Sequence, residues 1–327
     1  MLAGMTDLNV RPLRRDADDQ VLPADLDAMV ELFAAFESAR LGYVETTRAE
    51  VLAAMAVPRF SREETVLLLD GEGERVVGAV FVMTRPDGKD VYTDNAVRLG
   101  AEERRLLEAC TDHAVAAARR IAAADGREGW TLRTGCASGD DVSAEVLTSR
   151  GLTEVRRFYR MRIPADSPAI PAVRPPLPDG VELVVRDDEE TRRAIWLVDD
   201  ESFLDHWNYT PISYDDWWED MSAGATRDPD GWWLLRVDGE PAAMLVLDDS
   251  QAENGDGYVG VLAVRRPWRG RGLATWLLQS AFVRERDRGR AGIQLSVDAY
   301  NLTGAVRLYE SVGMSPAHVR VGFALDL

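Results

Sequence analysis

Residues 261 to 280 constrain this chain more than any other stretch. An apolar run from Val261 to Val264 reads as a buried strand, Arg269-Gly270-Arg271-Gly272 as a turn, and Leu273 to Phe282 as the opening of an amphipathic helix. That order is the layout of an anion cradle. Glycines let the backbone turn sharply and approach a ligand closely, while consecutive N–H groups and the positive end of the helix point at negative charge. A phosphate-bearing ligand is expected there. Positive charge also gathers beside the turn, since eight of the 16 basic residues after residue 163 lie between Arg265 and Arg290.

The remaining charge excludes other classes. The net charge is −18, of which residues 1 to 163 carry −6 and the remainder −12, the opposite sign to a nucleic-acid binder. Lys89 is the only lysine, which argues against Schiff-base catalysis. Two cysteines, Cys110 and Cys136, and three scattered histidines, His113, His206 and His318, offer no zinc-ligand spacing and no disulfide framework, so no metal is expected. The first residues lack a basic segment followed by an apolar one, and no stretch approaches the ~18 apolar residues of a membrane span. A reduced, cytoplasmic protein with no membrane partner is expected, as a monomer or homodimer.

With 327 residues the chain suits two domains of about 150 residues each. Residues 164 to 180 hold six prolines in seventeen positions, which neither a helix nor a central strand tolerates, so this segment reads as an extended connector. On either side the same order of signals repeats: a short strand, an acidic helical stretch, two strands about a Gly turn, then strand, helix, strand and helix. Gly151 aligns with Gly313 near the two ends. Ala96-Val97-Arg98 precedes one helix as Ala263-Val264-Arg265 precedes another. At the turn itself the first half has Leu99-Gly100-Ala101-Glu102-Glu103. Glutamates at a helix start satisfy the macrodipole themselves and repel phosphate, so the first half is expected to be degenerate.

Three pieces of the second half together resemble the GNAT superfamily of acyl-CoA-dependent N-acyltransferases. Arg266-Pro-Trp-Arg269-Gly270-Arg271-Gly272 is similar to its pyrophosphate loop, Ile293 to Asn301 to its fifth strand with the customary Asn, and Ala305 to Met314 to its final helix with a Leu308-Tyr309 pair. The resemblance implies an α/β fold with mixed sheets: two tandem GNAT-like domains, each a central, mostly antiparallel sheet with splayed fourth and fifth strands flanked by helices. It covers residues 181–327 closely, as the catalytic domain, and residues 1–163 only in architecture, with 164–180 as linker. A tandem layout with one well-formed half is similar to the mycothiol synthase type of GNAT protein, whose substrate is not carried over because the substrate-facing regions show no matching motif.

The resemblance also implies roles. Acetyl-CoA is the expected cofactor, held by backbone groups of Leu262 and Val264, by Arg269, Gly270, Arg271, Gly272, Leu273 and Ala274, and by Asn301, which as readily serves as the cap of a helix from Leu302. An N–H at Leu262 would stabilise the oxyanion. Tyr309, protonated at neutral pH, would donate to the departing thiolate. No general base stands out: relatives place a Glu early on the fourth strand where this chain has Tyr258, leaving Asp298, Asp248, Asp249 or a water chain. Between Asp199 and Asp220 eight acids occur without a base, interleaved with aromatics that include Trp207. Such a wall suits a cationic amine, or is a solvated helix face; Asp298, Tyr258, His206 and Trp207 are the candidate acceptor contacts. The reading is an N-acetyltransferase acting on a small amine by direct transfer in a ternary complex. A protein or peptide N-acetyltransferase and a non-catalytic acyl-CoA-binding module are the alternatives.

Overall fold

The computed structural model describes all residues except 1–7, 72–74, 86–87, 205–206, 208, 224–225 and 302–303. Among the described residues no helix is long and apolar enough to cross a membrane. The chain divides into two compact units, residues 1–157 with 320–327, and residues 158–319.

The second unit is built on a sheet of β6 (Thr153–Pro164), β7 (Val181–Val184), β8 (Arg227–Val237), β9 (Glu240–Asp248), β10 (Asp256–Val264) and β11 (Gly292–Asp298), in the order β6-β11-β10-β9-β8-β7. All neighbours are antiparallel except β10 and β11. One face carries α5 (Glu189–Phe203) and α6 (Tyr214–Ser222) over Trp232, Leu234, Met244 and Val246. The other carries α7 (Leu273–Asp287) and α8 (Ala305–Ser311) over Trp233, Leu245, Leu247 and Val259. Alternate strand residues therefore serve alternate cores, as a pleat of period two demands.

The first unit repeats the plan with β1 (Asn9–Pro12), β2 (Val66–Leu69), β3 (Val76–Thr84), β4 (Asp90–Val97) and β5 (Thr131–Ala137), together with α1 (Pro23–Leu41), α2 (Arg48–Ala56), α3 (Glu103–Asp125) and α4 (Asp141–Ser149). Its last strand comes from the far end of the chain: β12 (Ser315–Asp326) runs antiparallel to β5 from Arg320 to Asp326. The second unit is completed in turn by β6, the strand that follows α4 in sequence, which pairs with β11. The compact units thus exchange their last strands, dividing at 157/158 and 319/320. Strand order is set by side-chain pairing at long range, which local patterning does not carry. One such pairing is visible: Arg162 of β6 forks onto Asp256 of β10 at 2.7 and 2.9 Å, and Gln294 donates to the same carboxylate at 2.6 Å. Gly292 leaves the room, since a Cβ there would stand 2.4 Å from the Arg162 guanidinium.

The proline-rich segment is not a free connector. Trp276 of α7 donates to the carbonyls of Pro175 and Pro176, Arg286 to those of Pro171 and Ala172, and Ile170 is buried in the α7 core. Carbonyls that no helix or strand claims are available to side-chain donors, so the segment lies on α7 as a strap.

Candidate active site

Two glycines shape the turn between β10 and α7. Gly270 and Gly272 have φ of +77° and +78°, in a region that costs residues with a Cβ roughly 1–2 kcal/mol. Gly272 is also the N-cap of α7 and supplies no side chain to the helix. The first intrahelical bond runs from Trp276 N–H to Gly272 O, so the N–H groups of Leu273, Ala274 and Thr275 have no acceptor within the helix. These three residues, with Arg269, Gly270 and Gly272, line a cleft of about 320 Å³ whose other walls include Leu262, Val264, Trp268, Leu308 and Tyr309. Open N–H groups, positive φ and the helix dipole fit a pyrophosphate.

The arginines divide the work. Arg269 donates from Nε to Val264 O at 2.9 Å and from Nη2 to Ser202 O at 3.3 Å, fixing the turn to β10 and to the end of α5. Arg265 forks onto Glu201 at 2.6 and 3.0 Å and lies over the Trp268 ring. Arg271 is exposed and, among the described residues, has neither a hydrogen bond nor an ion pair. It is the side chain of the turn left for an anion.

Beyond the turn, β10 and β11 part. Their parallel register covers Asp256 to Tyr258 against Gly292 to Gln294, after which a bulge between Val259 and Val261 redirects β10 along β9. Arg265 N–H donates to Ala242 O on β9. Strand alternation then turns the backbone groups of Ala263 toward β9 and those of Leu262 and Val264 toward the gap.

A second cleft, of about 340 Å³, occupies that gap between Val259–Leu262 and Leu295–Asp298, closed by Phe158, Phe203, Trp207 and Asn301. Leu262, Phe203, Ala305 and Tyr309 line both clefts. Tyr309 is buried, and desolvation, with the neighbouring Tyr258, pushes its hydroxyl up to about 12. It stays protonated across the neutral range.

Of the acceptor contacts expected from sequence, Asp298 and Trp207 line this second cleft. Tyr258 does not; its ring lies under the Arg160 guanidinium at 5.0 Å. His206 falls outside the described residues. Asn301 reaches the cleft, but it does not cap the helix, which begins at Ala305 with Gly304 as its N-cap. Among the acids of 199–220, the three on α5 have internal donors. Asp199 accepts from Trp217, Asp200 from Tyr209 and Glu201 from Arg265, because carboxylates near a helix end find internal donors more cheaply than they stay desolvated. Phe158 and Ser202 were not foreseen. Phe158 reaches the site through the strand exchange, for which no local signal exists, whereas Ser202 contributes a backbone carbonyl that any residue could supply.

The corresponding place in the first unit is filled. β4 and β5 pair only from Asp90 to Tyr92, yet the space beyond, lined by Asp94, Asn95, Gly135, Cys136 and Leu147, amounts to about 30 Å³, roughly a single water. Arg320 takes the rest, bonded to Glu45 at 2.9 Å and Asp94 at 3.1 Å, and the Asp94 charge above all holds it above its ordinary value. Glu37 accepts from the N–H groups of Glu45 and Thr46 at 2.7 Å and from the Thr46 hydroxyl, and burial raises its carboxyl. At the start of α3, Glu102 is the N-cap where α7 has Gly272, Glu103 follows it, and Arg40 bridges Glu103 to Asp140. Leu147 stands where the second unit has Tyr309. Cys110 and Cys136 are buried thiols that desolvation pushes up to about 12, so neither is a nucleophile at neutral pH.

Residues 191–314 match the acetyltransferase (GNAT) family. The chain is 29% identical to a mycothiol acetyltransferase of Nocardia farcinica over 92% of its own length and 94% of that protein's. It is 28% identical to one of Rhodococcus erythropolis over 78% and 83%. Among solved structures it resembles a GCN5-related N-acetyltransferase from Sphaerobacter thermophilus (TM-score 0.76, 24% identity, 98% and 95% covered) and a tandem GNAT protein from the clavulanic acid biosynthesis pathway (TM-score 0.72, 18% identity, 98% of both).

Proposed function

We propose, from the premise that residues 191–314 belong to the GNAT acetyltransferase family, that this enzyme moves an acetyl group from acetyl-CoA to the amine of a small molecule by direct attack in a ternary complex. The observation that carries the reading is the meeting of two clefts at Leu262 and Tyr309, one cut for an anionic donor and the other open to an acceptor. A cleft of about 340 Å³ matches a small molecule better than a folded protein surface. The curated relatives carry the name mycothiol acetyltransferase, so an acceptor of the mycothiol class heads the list to test.

When bound, acetyl-CoA supplies an activated acetyl thioester. The N–H groups of Leu273 to Thr275 and the Arg271 guanidinium hold the pyrophosphate, and the gap-facing backbone of Val264 and Leu262 orients the arm. As the amine attacks, the Leu262 N–H stabilises charge growing on the carbonyl oxygen, a type of contact whose loss costs ~2.7–4 kcal/mol of barrier. The Tyr309 hydroxyl would give its proton to the leaving sulfur and be restored, through solvent, by the second proton that the nitrogen sheds as the amide forms. The first unit, its own gap closed by Arg320, serves as a degenerate scaffold. A screen of amine acceptors with detection of released thiol tests the reading; acceptor-dependent thiol release is expected, and none with any amine would overturn it.

A further inference from the structure

The proton that the acceptor must lose has no obvious destination, because Tyr258 stands early on β10 where an acid would serve. Asp248 stands directly across from it: in the β9–β10 register Tyr258 pairs with Asp248. Paired residues present their side chains to the same face of a sheet, and the following residue on that face of β10 is Gly260, at the bulge.

Gly260 lines the acceptor cleft and is exposed to it. A Cβ at Gly260 would stand 2.8 Å from Asp248 Oδ2, so the carboxylate lies against the bare backbone of the cleft wall. The φ of Gly260 is not positive, and conformation alone does not demand a glycine there. The carboxylate demands it. The other oxygen, Oδ1, accepts the Ser250 N–H at 2.9 Å, which fixes the carboxylate plane.

The acid that lines the cleft itself, Asp298, is held in a turn. Asp298 accepts the Tyr300 N–H on Oδ1 at 2.8 Å and the Asn301 N–H on its carbonyl at 3.0 Å, closing the turn after β11.

Resting on the acetyl-transfer reading above, we infer that Asp248 is the base that accepts the acceptor ammonium's proton at the cleft wall beside Gly260. The N–H bond breaks toward Oδ2, directly or across one water. The nitrogen lone pair is freed to form the C–N bond, and the carboxylate becomes a neutral acid that returns the proton to solvent between turnovers. Its surroundings suit this. Burial and the adjacent Asp249 raise its carboxyl, hydrogen bonds from Ser250 and the Arg160 charge partly offset them, and the result is about 6, near the working range of a base at neutral pH.

The test uses the full chain, acetyl-CoA and the acceptor returned by the thiol-release screen. Asp248→Asn is expected to lower kcat by about 100-fold with acetyl-CoA affinity by calorimetry unchanged, and to remove the acid limb near pH 6 from the kcat profile. Gly260→Ala, which displaces the carboxylate, is expected to reproduce the loss and to add nothing in the Asp248→Asn background. A kcat within twofold of wild type for Asp248→Asn overturns the inference. If that variant no longer binds acetyl-CoA and so has misfolded, Gly260→Ala decides alone, and an unchanged kcat there overturns it equally. No thiol release by the wild-type protein would instead defeat the acetyl-transfer reading, and this one with it.

Discussion

Arg269 donates from Nε to the carbonyl oxygen of Val264, 2.9 Å away, so the glycine turn folds back on the end of β10. Arg269, expected from sequence among the phosphate contacts, spends Nε and Nη2 on bracing the turn. Arg269→Ala is therefore expected to weaken acetyl-CoA about tenfold, the ~1.5 kcal/mol of a lost charged hydrogen bond, while leaving kcat at saturation nearly unchanged. Arg271→Ala is expected to weaken it as much but to shed part of the salt dependence, because that contact is with the ligand itself. Calorimetry at two ionic strengths separates them.

Tyr309 belongs to both clefts and keeps its proton through neutral pH. Tyr309→Phe retains the packing and deletes only the donor. Turnover is expected to fall by ~10²-fold or more, with acetyl-CoA affinity within twofold of wild type. Steady-state kinetics with a parallel binding titration reads both, and unchanged turnover removes Tyr309 from the mechanism.

Arg320 sits among Glu37, Glu45 and Asp94 in the first unit. Its removal leaves the buried Glu45 and the half-exposed Asp94 without their cation, a change worth about 1–3 kcal/mol. Arg320→Ala should accordingly lower the denaturation midpoint substantially. It should not create a second acetyl-CoA site, because Glu102 and Glu103 still occupy the helix start.

Asp25 is buried under Arg11 and Arg14. Burial alone would raise its carboxyl, but hydrogen bonds from Arg11 and Arg14 outweigh it and hold the group below the usual carboxylate range. A depressed folded value gives stability that is fully present above the unfolded value, near ~3.9, and lost as pH falls through the folded one. Asp25→Asn is thus expected to destabilise the protein at pH 7 by on the order of 3 kcal/mol, with the difference from wild type shrinking below pH 4. Urea denaturation at pH 7 and pH 3 measures it.

Much of the donor site was legible because its parts are local. The strand, the glycine turn and the helix start lie within twenty consecutive residues, and positive φ at Gly270 and Gly272 is what their glycines announce. The acidic helix start of the first half, Glu102 and Glu103, was equally local. What lay hidden depends on distant pairing: β6 and β12 complete sheets on the far side of the sequence, Phe158 reaches the acceptor cleft by that route, and Arg320 fills the first unit's gap from near the end of the chain. Part of the acidic stretch 199–220 was hidden for a related reason. Composition shows that charge is present but not that Trp217, Tyr209 and Arg265 engage the three acids on α5.

We propose a single donor site per chain, cradled at Gly270 and Gly272 in the second unit. Calorimetric titration of the full chain with acetyl-CoA tests it most directly. One molecule is expected to bind per chain and none to Gly270→Glu, whose carboxylate and strained backbone would occupy the cradle. Two molecules per chain, or undiminished binding by Gly270→Glu, would contradict it.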